Sequence, residues 1–158
     1  MINTAFSPWP KFDDEEVKAI SEVLLSNKVN YWTGDEGRSF ELEFARWAGR
    51  SYSVALANGT LALDAALKAL GVGSGNEVIV TSRTFFASIS SIVNAGAIPV
   101  FADIDEDSQN ITAESIANEI SEKTKAIICV HLAGWPCEMD PIMTLAESHN
   151  LFVIEDCA

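Results

Sequence analysis

Positive charge is scarce in this chain of 158 residues: ten Lys and Arg stand against 23 Asp and Glu, a formal net charge of −13. No basic run and no stripe of aromatic and basic residues is present to neutralise a phosphate backbone, which argues against nucleic acid as a partner. Cysteine is sparse too. Cys129, Cys137 and Cys157 are odd in number and never spaced Cys-x-x-Cys, so the pattern fits reduced thiols in apolar strands and loops, not a disulfide framework or a metal site. No window of about 18 apolar residues occurs. The N-terminal MINTAFSPWPKFDDEE lacks a basic region followed by an apolar stretch, so neither membrane insertion nor export is signalled and a cytoplasmic protein is expected. The glycine-rich GVGSG at Gly71–Gly75 ends a helical stretch instead of following a strand, and no P-loop occurs; dinucleotide binding and nucleoside triphosphate hydrolysis have no support.

What the chain has in quantity is apolar residues, 48% of the total, enough for one domain or part of one with a real core. After Pro8 and Pro10, FDDEEVKAISEVLLS reads as a helix with Asp13 as cap, Glu16 completing a capping box, and Val17, Ile20 and Leu24 at helical spacing. The loop NKVNYWTGDEG leads to a second helix expected from Ser39 to Trp47, with Phe40 and Phe44 on one side. From Tyr52 onward, short apolar runs (YSVALA, EVIVTS, IPVFAD, KAIICVHL, LFVIED) alternate with helical stretches near 60–70, 84–95, 113–121 and 139–149. Strands apolar at nearly every position, separated by helices, predict an α/β fold with a parallel sheet covered on both faces.

In such sheets ligands gather beyond the carboxyl ends of the strands. Five loops lie there. In ANGT, Gly59 lets backbone approach a ligand and the helix start at Thr60 favours an anion such as phosphate; the alternative is that Asn58 or Thr60 only caps the helix. In TSRTFFAS, Phe85 or Phe86 can lie as a platform under a planar ligand or pack in the core, and Arg83 is either a phosphate contact or solvated. ADIDED lacks the turn glycine of a calcium loop and reads as a solvated acidic turn, with Asp103 placed to brace neighbouring loops. His131 stands at a strand end suited to a ligand site, whereas His149 reads as a surface residue near a helix C-terminus. The terminal VIEDCA delivers Glu155 and Asp156. The six lysines, Lys11, Lys18, Lys28, Lys68, Lys123 and Lys125, avoid all five loops and read as solvated.

Taken in order, NYWTG, ANGTLAL, GNEVIVTSRTFFAS, GAIPVFADID with SQNIT, TKAIICVHLAGWPCEMDPI and VIEDCA closely resemble the first half of the DegT/DnrJ/EryC1/StrS family of sugar aminotransferases. The resemblance implies the N-terminal part of the three-layer αβα large domain of a fold type I enzyme that uses pyridoxal 5′-phosphate, normally a homodimer with active sites at the subunit interface. Residues 1–51 would be an N-terminal helical segment and 52–158 the first part of the cofactor-binding domain, the remainder and a smaller C-terminal domain being absent, so that the chain is a fragment. By the same resemblance Gly59 and Thr60 would hold the cofactor phosphate, Phe85 would stack on its ring, and Asp156 would pair with the protonated ring nitrogen. Thr33 and His131 are candidates for substrate contact. The family moves an amino group from an amino acid, commonly L-glutamate, to a keto group of a nucleotide-linked sugar in amino-sugar or polysaccharide biosynthesis. Its Schiff-base lysine would fall beyond this chain, which by itself is expected to be inactive. Two alternatives stay open: a sugar dehydratase of the same family, with histidine in the lysine's place, and a non-catalytic module that binds cofactor or dimerises.

Overall fold

The computed structural model describes residues 9–158, so Pro8 lies outside it. The chain forms two compact units that divide between Ala55 and Leu56.

The first unit holds α1 (Asp14–Leu25) and α2 (Glu36–Trp47). The expected capping box starts α1: Asp13 Oδ1 accepts from the N–H groups of Glu15 and Glu16 at 3.0 Å, and the Glu16 carboxylate accepts from the Asp13 N–H at 2.8 Å. Acidic residues in that first turn also suit the positive end of the helix dipole. Helix α2 begins at Glu36 instead of Ser39. Its first turn is polar, and a pattern of apolar spacing cannot register a turn that has no apolar member. Glu41 of α2 accepts from the Tyr31 hydroxyl at 3.1 Å and from the Ala55 N–H at 2.9 Å, which ties the preceding loop and the following segment to this helix. The expected strand YSVALA does not form. Residues 52–57 are irregular, with Tyr52 and Val54 exposed, because β-propensity expresses packing against a neighbouring strand and none adjoins this segment.

The second unit runs α3 (Gly59–Ala69), β1 (Glu77–Thr81), α4 (Ala87–Asn94), β2 (Ile98–Ala102), α5 (Ala113–Ala117), β3 (Thr124–Val130), α6 (Met139–His149) and β4 (Phe152–Asp156). Gly71, at φ +65°, stops α3. Helix α5 stops well short of residue 121 because Ser121 is drawn into the turn before β3, its N–H donating to Thr124 Oγ1 at 2.9 Å. The four strands form one all-parallel sheet in the order β2-β1-β3-β4. Side chains alternate between its faces. Val78, Val80, Ala126 and Ile128 pack with Leu67 of α3 and Ile92 of α4, while Ile79, Ile127 and Cys129 pack with Ile116 of α5 and Ile142 of α6. Helices therefore cover both faces. The chain leaves β1 toward β2 and returns past it to β3 and β4, which puts the change of winding direction between β1 and β3, where open α/β sheets bind ligands at the strands' carboxyl ends.

Candidate active site

Helix α3 precedes β1 and packs on it, Leu67 against Val78 and Val80; helices that cover a parallel sheet run opposite to its strands, which puts the α3 N-terminus at the edge where the strands end. Asn58 is the cap: its Oδ1 accepts from the Leu61 N–H at 3.0 Å, and its carbonyl accepts from Ala62. Among the described residues nothing accepts from the Gly59 and Thr60 N–H groups. The cap, one of the two alternatives in the sequence, therefore forms and leaves these two donors free for the other. A Cβ built on Gly59 meets nothing within 4 Å, so space stands open before those donors.

Asp156 ends β4, paired with Val130 of β3. Alternation turns its side chain to the α3/α4 face, where Ser88 Oγ donates to Asp156 Oδ2 at 2.6 Å. Ser88 is fully buried in the first turn of α4, and its Oγ lies 2.8 Å from Thr84 Oγ1. Among the described residues the other carboxylate oxygen receives only the Ala158 N–H, at 3.3 Å. Burial and the neighbouring Glu155 and Asp156 charges push the Cys157 thiol up, which keeps it protonated beside the site.

Glu155 points to the opposite face. Its Oε2 lies 2.9 Å from His131 Nε2, and His131 Nδ1 accepts from the Cys137 N–H at 3.1 Å. Burial opposes charging of His131, but the hydrogen bond and negative charge of Glu155, together with the Cys137 sulfur, outweigh that and raise its pKa above the ordinary 6.5. The intervening turn places Ala133 at φ +53°, a region uncommon for residues with a Cβ. His131 is therefore held by both ring nitrogens, Nδ1 by the 131–137 loop and Nε2 by Glu155 of β4.

Phe85 and Phe86 are 77% and 71% exposed, so neither packs in the core of this unit; both stand at the β1–α4 turn beside an exposed Arg83. Thr33 belongs to the first unit, where its N–H and hydroxyl both bond to Asn30 Oδ1 at 3.1 Å. Asp103 does not brace other loops: it is exposed and accepts only from the following Ile104 N–H. In the acidic turn Asp105 accepts from the Ser108 N–H at 2.7 Å, a bond that lowers its pKa. Lys125 is not simply solvated, because its Nζ donates to the Gly71 carbonyl at 2.9 Å behind the end of α3. Ser88 and Thr84 escaped the sequence reading; the available signal was a pair of hydroxyls four residues apart at the strand-to-helix turn.

Comparison with known proteins accords with this arrangement. The model of the DegT/DnrJ/EryC1/StrS aminotransferase family matches residues 10–158. The chain belongs to that family. GDP-perosamine synthase from Escherichia coli O157:H7 is 43% identical over 153 residues, covering 94% of this chain and 41% of that protein. The crystal structure of an aminotransferase from Psychrobacter cryohalolentis superposes with a TM-score of 0.95 at 66% identity, over 98% of this chain and 39% of that one. A Streptococcus pneumoniae protein described as a sugar aminotransferase, in its PLP form, gives a TM-score of 0.86 at 31% identity, over 99% of this chain and 43% of that one. The chain thus spans about two fifths of the length of these relatives.

Proposed function

We propose that this chain forms the cofactor-binding face of a pyridoxal phosphate-dependent aminotransferase that delivers an amino group from an amino acid, L-glutamate by family resemblance, to a keto group of a nucleotide-linked sugar. The observation that carries this reading is the grouping at one sheet edge of an open, unpaired helix N-terminus, an exposed aromatic ring and a strand-end carboxylate. Each matches one part of the cofactor: a doubly charged phosphate, a flat ring and a ring N–H.

When bound, the cofactor supplies an electron sink for the pair released at the substrate's Cα. The chain's own residues do the rest. The Gly59 and Thr60 N–H groups, with the helix dipole, hold the phosphate, and the missing Cβ at Gly59 allows it close. Phe85 covers one face of the ring and excludes water from it. Asp156 accepts the ring N–H and holds the proton on the nitrogen, because a carboxylate beside it favours the charged form. His131 and Thr33 keep their place as substrate-side candidates, with the ring nitrogens of His131 engaged by Glu155 and Cys137 and the Thr33 hydroxyl by Asn30. Assembly as a homodimer and a cytoplasmic location belong to the same reading; three free thiols fit a reducing compartment.

The test is to incubate the product of the complete gene with pyridoxal phosphate, L-glutamate and a panel of nucleotide-linked keto sugars, following 2-oxoglutarate release and the sugar's mass. Conversion of C=O to CH–NH2 with stoichiometric 2-oxoglutarate is expected. Loss of a hydroxyl from the sugar without amino transfer would instead mark a dehydratase, and no turnover on any sugar would reject both.

A further inference from the structure

Asp156 can serve a ring nitrogen only if one of its oxygens faces it steadily, and the structure contains a device that does this. We propose that Ser88, backed by Thr84, is a positioning residue that locks the Asp156 carboxylate so that Oδ1 is the oxygen presented to the cofactor; the inference rests on the reading of Asp156 given above. An ionised carboxylate only accepts hydrogen bonds, so Ser88 is the donor in the 2.6 Å contact with Oδ2. Its single hydroxyl proton is then spent. The 2.8 Å contact with Thr84 must run the other way, Thr84 Oγ1 donating to Ser88 Oγ. The relay has one direction, Thr84 to Ser88 to Asp156.

Ser88 is 0% exposed, so no water can take over its bond. Oδ2 is therefore committed. The donor on Oδ1, the Ala158 N–H at 3.3 Å, lies beyond the usual range for such bonds, which leaves Oδ1 the capacity to accept a ring N–H. Ser88 sits in the first turn of α4 and Asp156 at the end of β4, so the bond joins two separate elements and fixes the carboxylate against rotation about its own side chain. Ser88 touches no cofactor atom in this scheme and acts through Asp156.

The experiment uses apoprotein from the complete gene and two probes: pyridoxal phosphate, and its 1-deaza analogue, in which the ring nitrogen is replaced by CH. Affinities are read by fluorescence titration, without turnover. Wild type should prefer pyridoxal phosphate. Ser88→Ala should weaken pyridoxal phosphate binding about tenfold, the scale of one hydrogen bond to a charged group, and leave the analogue unchanged, so the preference collapses. Ser88→Thr, which keeps a hydroxyl, should restore it, and Thr84→Val should lower it partway. If Ser88→Ala weakens both probes equally, or the preference survives, Ser88 is only a structural residue and the proposal is overturned. Should Ser88→Ala fail to fold, Thr84→Val carries the same comparison: a narrowed preference supports the relay, and an unchanged preference overturns it. A wild type that does not distinguish the probes, with Asp156→Asn behaving identically, would remove the ring-nitrogen reading of Asp156 and this proposal with it.

Discussion

At the residue scale, the adjacent carboxylates of VIEDCA have separate occupations. Asp156 turns toward Ser88, while Glu155 turns through the sheet to His131. The His131 pKa lies above its ordinary value of 6.5, so the native state holds the imidazole proton more tightly than the unfolded chain does. The resulting stability is fully present below pH 6.5 and is lost as pH rises through the higher native value. Urea unfolding of wild type and Glu155→Gln at a series of pH values should therefore show their largest difference below pH 6.5, shrinking on the alkaline side. A difference that grows with pH would mean that neutral His131 is the form the fold prefers. The strand end and the carboxylates were readable from an apolar run that stops at two acids. The hydrogen-bond partners were not, because Ser88 lies 68 residues away in sequence from the side chain it serves, and nothing in a local pattern measures that separation.

At the scale of elements, α3 shows how much a helix start can hold. Asn58, Gly59 and Thr60 were visible as a cap or an anion site; the structure shows the cap on Leu61 and, among the described residues, no acceptor on the Gly59 and Thr60 N–H groups, which are the donors proposed for the anion. Asn58→Ala should cost about 1 kcal/mol of stability in chemical denaturation, the usual value of such a cap. Phosphate affinity of the apoprotein should change far less than the stability, since the two free N–H groups are left in place; an equal loss of both would show that the cap and the anion site are one. Helices and buried strands were legible wherever apolar spacing continued for two turns or several residues. The failures share a cause. The polar first turn of α2 and the early stop of α5 depend on hydrogen bonds that apolar spacing does not encode, and the irregular 52–57 segment lacks the neighbour a strand requires.

For the whole molecule, the distribution of apolar surface matters most. The second unit has an apolar interior, with Ile79, Ile127, Ile128 and Ile142 fully buried. Its outer strands are not covered: Ile98 and Phe101 on β2 and Phe152 on β4 are 44–51% exposed, and the first unit shows Trp32 and Trp47 at 83% and 81%. Such surface favours association. The 158-residue polypeptide produced alone should elute above its monomer mass of 17.1 kDa in size-exclusion chromatography with light scattering, increasingly so at higher concentration. A monodisperse monomer across the concentration range would show that this surface is inert. That apolar strand surface would stand exposed was expected; which residues carry it was not readable, since an apolar run looks the same whether or not something packs against it.

The 68-residue span between Ser88 and Asp156 also bears on when the site comes into being. Parallel strands gain their partners only after long loops close, and such closures are slow. The helix start proposed for the phosphate is local and can form early, but the carboxylate reaches its place only when β4, beyond β3, has docked on the sheet. The two ends of the proposed cofactor site thus come from parts of the chain with different folding histories. A ligand gripping both holds the last strand to the first helix of the unit, and its binding energy becomes part of what keeps the sheet closed.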